Sequence, residues 1–183
     1  MAKNAVVLLA TGFEEIEAVS IVDILRRAEV GVTVAGLQAG AIEGAHGINV
    51  VPDTTLGEID VKKFDAVILP GGNPGYVNLG KDNRVLDAVK TAFERGKLVA
   101  AICAAPSVLA QAGILKGKKA TVFPGMESAL TGAKPVNERV VVDGKLVTSQ
   151  GPGTALEFAL TLVELLVGKE KAQEIKAKLI AKV

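Results

Sequence analysis

The stretch Leu98-Val-Ala-Ala-Ile-Cys103-Ala-Ala-Pro106-Ser-Val-Leu-Ala110 decides the fold. Its first five residues form a short apolar run that is typical of a fully buried strand. Cys103, the single cysteine of the chain, follows at once. Pro106 suits the first turn of a helix, where its missing N–H costs nothing. The stretch therefore predicts a cysteine on the tight turn between a strand and a helix, the geometry of a nucleophile elbow.

Two interpretations of Cys103 follow from this position. At the start of a helix the thiol would face unpaired N–H groups and the positive end of the helix dipole, which favour the thiolate and lower the pKa. Alternatively, Cys103 is a small buried hydrophobic residue, as free cysteines often are. Position alone leaves both interpretations open.

Strands and helices alternate on both sides of this stretch. Apolar runs predict strands at 5–10, 32–35, 65–69 and 119–123, and helical spacing predicts helices at 15–28, 83–95, 155–167 and 169–180. Thr154 is the expected N-cap of the helix at 155–167, and a helical turn is expected at 127–130. Hairpins are predicted at 41–51 and 140–148, the second from the turn Asp143-Gly144. The alternation favours one three-layer α/β domain over residues 1–183.

The composition excludes several classes of protein. The net charge is +1 with no basic block, and aromatic residues are only 3% of the chain, which argues against a nucleic-acid partner. One cysteine and one histidine cannot build a disulfide or an ordinary structural zinc site, so no metal is expected. The apolar run at 5–10 is short for a signal peptide and far too short for a membrane span. We therefore expect a cytoplasmic protein with no membrane partner.

Candidate chemistry lies where the predicted strands end. Ligands of open α/β sheets collect outside the carboxyl ends of the strands. Residues 12–17, 70–75 and 150–154 follow such ends, as Cys103 does. Pro70-Gly-Gly is usually only a turn. Beside an elbow cysteine, however, the bare N–H groups of Gly71 and Gly72 could receive a developing oxyanion.

Glu17 is the most informative partner for the cysteine. The apolar arc of the first helix consists of Ile16, Ile21, Ile24, Leu25 and Ala28. Glu17 lies near the middle of this arc, Glu14 at its margin, and Glu15 on the far side with Arg26. A carboxyl group directed inward should have a raised pKa, and it could exchange a proton with a thiol. The alternative is that Glu17 only caps the helix N-terminus.

Two cationic residues complete the set of candidates. His46 lies in a predicted hairpin, where a surface position is expected, and as the single histidine it limits any cysteine–histidine mechanism to one pairing. Arg27, at the end of the first helix, is either solvated or draws an anionic group toward the site.

Four motifs occur in a fixed order along the chain. They are Gly12-Phe-Glu-Glu-Ile-Glu17, Pro70-Gly-Gly-Asn73, Ala101-Ile-Cys-Ala-Ala-Pro106 and Gln150-Gly-Pro-Gly-Thr154. With them, the chain resembles the ThiJ/PfpI superfamily over nearly its whole length, in the branch of the Parkinsonism-associated protein deglycase and glyoxalase III. The resemblance implies a flavodoxin-like sandwich, a homodimer and an oxidation-sensitive cysteine at the elbow. We expect a mostly parallel sheet and chemistry without a cofactor.

The resemblance also assigns roles to residues. It makes Cys103 the elbow cysteine and Glu17 the acid that hydrogen-bonds it. The oxyanion turn is then formed by Gly71 and Gly72, with Asn73 beside it, and Ala104 follows the nucleophile. Residues that would surround the site are Glu14, Arg27, His46, Gly151 and Pro152.

Two departures from the family pattern narrow the chemistry. PfpI-type peptidases carry histidine directly after the cysteine, where this chain has Ala104. Some members of the branch carry histidine after the next strand, where this chain has Phe123. Peptidase and glutamine amidotransferase activities are therefore disfavoured. His46 falls where the human member carries arginine, near the dimer partner.

The expected function is detoxification of dicarbonyls such as methylglyoxal to lactate, or repair of their adducts on proteins. Cys103 would attack the aldehyde and Glu17 would move protons. The partner is thus a small dicarbonyl or a glycated protein. The alternative is a redox sensor or stress-protective protein, in which Cys103 is oxidised to a sulfinate.

Overall fold

The computed structural model describes residues 2–183. The strands are β1 (Asn4–Leu9), β2 (Gly31–Gly36), β3 (Ile42–Glu43), β4 (Asn49–Val50), β5 (Thr54–Thr55), β6 (Ala66–Leu69), β7 (Leu98–Ile102), β8 (Lys119–Ala120), β9 (Lys134–Pro135), β10 (Val140–Asp143) and β11 (Leu146–Ser149). The α-helices are α1 (Glu15–Arg27), α2 (Gly75–Lys81), α3 (Asn83–Glu94), α4 (Pro106–Gln111), α5 (Ala155–Leu166) and α6 (Lys169–Lys178). Short 3-10 turns occupy Leu56–Glu58, Val61–Lys63, Glu127–Ala129 and Pro152–Thr154.

A seven-stranded sheet forms the middle layer. Its spatial order is β10-β11-β7-β6-β1-β2-β5. Every pair is parallel except β10 with β11, the hairpin predicted at 140–148. The register pairs Leu69 with Ala101, and Ser149 with Ile102. The carboxyl ends of β11, β7, β6 and β1 consequently lie side by side along one edge of the sheet.

Alternate side chains of the strands enter two separate cores. On one face Val7 packs with Ile21 of α1, Phe158 of α5 and Ile175 of α6. The opposite face of the sheet is covered by α2, α3 and α4, which contribute Leu79, Val85, Val89, Val108 and Leu109. The predicted flavodoxin-like three-layer sandwich with a mostly parallel sheet is therefore confirmed. Within residues 2–183, no helix has both the length and the apolar character that a membrane crossing requires.

The structure corrects several local predictions. The strand predicted at 119–123 is only Lys119–Ala120, which pairs with β9 outside the main sheet. It ends early because Thr121 N donates to Thr148 Oγ1 and Phe123 N to the carbonyl of Cys103, instead of to a neighbouring strand. Helix α2 was not predicted, since its glycines conceal the helical pattern. Thr154 precedes α5, but its hydroxyl bonds to Gly151 and does not cap that helix.

The start of α1 also differs from the prediction. Ile16, placed in the apolar arc, has 58% of its surface exposed, whereas Glu15, placed on the far side, is buried. The predicted hairpin at 41–51 is present as β3 and β4, and its loop folds over this end of the helix. There Oε1 of Glu15 accepts the N–H of His46 at 2.6 Å. Helical periodicity indicates only which side chains face the sheet. It therefore could not predict that the hairpin would bury Glu15.

Candidate active site

The four candidate segments converge at the carboxyl edge of the sheet. Glu14 N donates to the carbonyl of Gly71 at 3.0 Å, and Gly75 N donates to the carbonyl of Gly12 at 3.0 Å. On the other side, Cys103 N donates to the carbonyl of Ser149 at 2.9 Å. Backbone hydrogen bonds therefore link the turn after β1 to the turn after β6, and the turn after β7 to the end of β11.

Cys103 occupies the turn between β7 and α4. Its φ of 63° lies in the left-handed region, which a non-glycine residue adopts only when the surrounding structure enforces it. Here the N–H of Cys103 bonds to β11, and its carbonyl accepts the N–H of Phe123 at 2.8 Å. The residue is half-buried. The backbone thus holds the thiol in place from both sides.

Glu17 is fully buried on α1 and faces this turn. Its Oε2 accepts the N–H of Gly71 at 2.7 Å. Its Oε1 is buried without a well-aligned hydrogen-bond partner among the described residues, and the Cys103 thiol lies against this carboxyl group. Glu17 is not a helix cap, because the N-cap is Glu14, whose Oε1 accepts the N–H of Ile16 at 3.3 Å. The inward direction predicted for Glu17 agrees with this geometry.

The environment of the two groups governs their protonation. Burial raises the pKa of Glu17 to about 7, although the N–H of Gly71 and the thiol stabilise the carboxylate. Burial, together with the negative charge of Glu17, raises the pKa of Cys103 to about 12, against the N–H groups of Gly72 and Ala104. The lowered pKa predicted for Cys103 is therefore wrong in direction, since desolvation and a carboxylate outweigh a six-residue helix. The carboxyl group of Glu17 therefore gains or loses its proton near neutral pH, while the thiol of Cys103 keeps its proton there.

The N–H groups around the sulfur differ from the expected pair. Gly71 donates to Glu17, so its N–H is not free for an oxyanion. The N–H groups of Gly72 and Ala104 face the Cys103 sulfur instead. Asn73 lies exposed beyond them. The anion-stabilising role predicted for Gly71 with Gly72 thus fits Gly72 with Ala104.

Gly72 is a position where a side chain should not be accommodated. Its φ is +92°, and a Cβ there would lie 2.2 Å from the backbone nitrogen of Glu14. We expect Gly72→Ala to lower the free energy of unfolding by about 2 kcal/mol or more, because both the backbone angle and the contact are unfavourable. Urea denaturation would measure the loss. Gly40→Ala is the matched control, with a similar φ of +85° and nothing near its Cβ; equal losses in both variants would contradict the steric argument.

The segment after β11 forms a wall of the site. Gly151 is buried and Pro152 half-buried, and the Gly151 N–H is bound by Thr154 Oγ1 at 3.1 Å. A Cβ on Gly151 would lie 3.4 Å from the ring of Phe123. Phe123, singled out because family members carry histidine there, thus packs beside Gly151, next to the turn that holds Cys103.

Arg27 and His46 do not join the thiol. Arg27 pairs with Asp23 at 2.7 Å, at the far end of α1. Ten residues of helix, roughly 15 Å at 1.5 Å per residue, separate it from Glu17. His46 is exposed as predicted, and its Nδ1 lies 2.8 Å from Oε2 of Glu15. Neither this role of Glu15 nor that of Ser149, whose carbonyl accepts the N–H of Cys103, was predicted from the sequence. A backbone acceptor leaves no signal in the sequence.

Comparison with known proteins places this geometry in a family. The model of the DJ-1/PfpI family matches residues 3–165. The chain belongs to the DJ-1/PfpI family. It is 46% identical to the protein dj-1beta of Drosophila melanogaster over 183 residues, 98% of each chain. The crystal structure of Drosophila melanogaster DJ-1beta superposes with a TM-score of 0.97 at 45% identity and covers 100% of both chains.

Two further DJ-1/PfpI relatives have informative names. One is the glutathione-independent glyoxalase DJR-1.2 of Caenorhabditis elegans, which is 38% identical over 176 residues, 94% of each chain. The other is the structure of Toxoplasma gondii DJ-1 described as oxidized, which has a TM-score of 0.95 at 38% identity and covers 100% of both chains. The family resemblance drawn from the four motifs is therefore confirmed.

Proposed function

We propose that this DJ-1/PfpI chain converts small dicarbonyls such as methylglyoxal to 2-hydroxy acids such as lactate, without glutathione or another cofactor. The observation that carries the proposal is the thiol of Cys103 against a fully buried Glu17 whose pKa is raised to about 7. A base with a pKa near the working pH is effective in proton transfer. The glyoxalase name of the Caenorhabditis elegans relative supports the same chemistry.

The first step adds the thiol to the aldehyde. The unpartnered Oε1 of Glu17 accepts the thiol proton while the sulfur bonds to the aldehyde carbon. The negative charge that develops on the aldehyde oxygen is stabilised by the N–H groups of Gly72 and Ala104. Glu17 then returns the proton to that oxygen, which gives a neutral hemithioacetal. A base beside the thiol makes a preformed thiolate unnecessary.

The second step is an isomerisation followed by hydrolysis. Glu17 removes the proton from the carbon that carries sulfur and delivers it to the neighbouring ketone carbon, while the proton of the hemithioacetal hydroxyl moves to the ketone oxygen. The hemithioacetal becomes the isomeric thioester of lactate, with no net oxidation. Water then cleaves the thioester to lactate and restores the Cys103 thiol. With a hemiaminal adduct on a protein, the sulfur would bond to the carbon that carries the amine, the carbon–nitrogen bond would break, and the amine would leave with the proton that Glu17 took from the thiol. The resulting hemithioacetal would follow the same isomerisation and hydrolysis.

A lactate assay over a range of pH tests the proposal. Glu17 must be deprotonated to accept the thiol proton, so we expect kcat/KM for methylglyoxal to rise with pH and to level off above about 7. Lactate formed from methylglyoxal between pH 5 and 9, in the absence of glutathione, gives the profile. Absence of lactate, or a profile that does not change over this range, would contradict the mechanism.

A redox function of the same cysteine is the second candidate. The Toxoplasma gondii relative described as oxidized favours it. Two equivalents of hydrogen peroxide would convert the thiol to a sulfinate and be reduced to water. A protonated Glu17 and the N–H groups of Gly72 and Ala104 would then donate to the sulfinate oxygens. A protein that adds two oxygens at Cys103 but forms no lactate would have the redox function alone.

A further inference from the structure

A second cluster of ionisable groups lies at the N-terminus of α1. It consists of Glu14, Glu15 and His46, and is called here the His46 cluster. Nδ1 of His46 lies 2.8 Å from Oε2 of Glu15 and 3.5 Å from Oε2 of Glu14. All three donor atoms lie within 4.8 Å of one another. Imidazole nitrogens and carboxylate oxygens are both ligands of zinc in proteins.

The carboxylates of the cluster lack a permanent counter-charge. The side chains of Glu14 and Glu15 are 9% and 6% exposed, so both are more than nine-tenths buried. In the part of the chain that the structure describes, neither carboxylate pairs with lysine or arginine. Oε2 of Glu14 accepts no hydrogen bond there, since the N–H of Ile16 goes to Oε1. Buried carboxylates are normally neutralised by a cation or a metal ion.

The distances suit a tetrahedral ion. Ligand atoms that lie 2.0–2.2 Å from zinc are separated from one another by roughly 3.3–3.6 Å in a tetrahedron. From the observed 2.8 and 3.5 Å, Nδ1 of His46 needs to move by less than about 1 Å relative to either carboxylate oxygen. Oε1 of Glu15 already holds the hairpin through the N–H of His46, so Oε2 can turn toward a metal without loss of that contact. The His46 side chain is 70% exposed, so the cluster can be reached from solvent.

We propose that the His46 cluster binds one divalent zinc ion through Nδ1 of His46 and Oε2 of Glu14 and Glu15. The imidazole ligand favours zinc over magnesium or calcium, which prefer oxygen ligands alone. This site was not predicted from the sequence, because the expectation of no metal rested on the single cysteine and the single histidine. The cluster adjoins the Cys103 site, because Glu14 N donates to the carbonyl of Gly71, but it uses none of the reacting groups.

Zinc titration of the full-length chain tests the proposal. The Cys103→Ala background, without an affinity tag, removes the thiol as a competing ligand. We expect calorimetry with zinc chloride to give one ion per chain. His46→Gln and Glu14→Gln should each weaken binding roughly tenfold or more, since loss of even an indirect metal contact has effects of that size. Glu43→Gln, which removes an exposed carboxylate from the same hairpin, is the matched control and should leave the affinity unchanged.

The single histidine of the chain provides an independent readout. Zinc should shift the imidazole signals of His46 in the nuclear magnetic resonance spectrum of the protein with its cluster intact. Three outcomes would overturn the proposal: no zinc binding, binding that His46→Gln leaves unchanged, or binding without a change in the imidazole signals. Because the spectrum needs no change within the cluster, the test does not depend on the folding of a cluster variant. Loss of lactate formation would bear only on the proposed function.

Discussion

Cys103→Ala is expected to reduce lactate formation from methylglyoxal by roughly 10³-fold or more, because no other cysteine in the chain can form the covalent intermediate. The variant keeps the Cβ atom and the backbone contacts with Ser149 and Phe123, so the turn at φ 63° should persist. Lactate measured by an enzymatic assay, at enzyme concentrations that detect residual turnover, gives the size of the loss.

Cys103→Ser is the informative companion. The serine hydroxyl occupies nearly the same position beside Glu17, but it is a much weaker nucleophile than a thiol with an adjacent base. We expect the serine variant to be almost as inactive as the alanine variant, with melting temperatures of both close to that of the parent. If either variant retained turnover near the parental rate, the reacting group would lie elsewhere and the proposed function would have to be abandoned for this site.

Glu17→Gln should reduce kcat/KM by about 10²–10⁴-fold, the usual contribution of a positioned acid or base. The amide has the same shape, and its oxygen can still accept the N–H of Gly71, but it cannot take the thiol proton. Any residual activity should lose the rise with pH near 7 that Glu17 would confer. An isosteric variant with full activity would show that another group moves the protons.

The same substitution has an effect on stability with a definite sign. The folded state raises the pKa of Glu17 from 4.5 to about 7, so between these values the native protein holds a proton that the unfolded chain has lost. The contribution of Glu17 to the free energy of unfolding therefore falls as the pH rises from about 4.5 to 7. The fall is about 3 kcal/mol, since each pKa unit corresponds to about 1.36 kcal/mol. The free energy of unfolding of Glu17→Gln, measured relative to that of the parent, should therefore be higher at pH 8 than at pH 5. Urea unfolding at both pH values measures this, with the exposed Glu164→Gln as control; a difference independent of pH would contradict the raised pKa.

Much of the architecture could be predicted because it depends on local patterns. The apolar runs of β1, β6 and β7 are buried strands, and helical periodicity correctly directs Glu17 inward. The same periodicity failed at Glu15 and Ile16, where the hairpin covers one residue and leaves the other exposed. Contacts between segments distant in the sequence determine whether such residues are buried, and helical periodicity gives no information about those contacts.

The chemistry of the site was harder to predict than its location. The turns after the strands indicated where Cys103 and its partners would meet. However, desolvation and a neighbouring carboxylate raise the pKa of the thiol, whereas the helix end lowers it. Only the geometry shows that the first two effects are larger at Cys103. The use of the Gly71 N–H by Glu17, instead of by an oxyanion, likewise depends on a side-chain position that sequence spacing does not determine.

The thiol and the carboxyl group of the proposed mechanism belong to different layers of the sandwich. Cys103 is attached to the sheet, whereas Glu17 is carried by α1, which packs against that sheet and against α5 through residues such as Ile21 and Phe158. A small sliding or tilting of this helix would change the gap across which the proton moves while leaving most of the core packed. In the proposed mechanism, the catalytic rate therefore depends more sensitively on the position of α1 than the global stability does. Conservative changes at the α1–α5 contact are then expected to change the rate without altering the residues of the site.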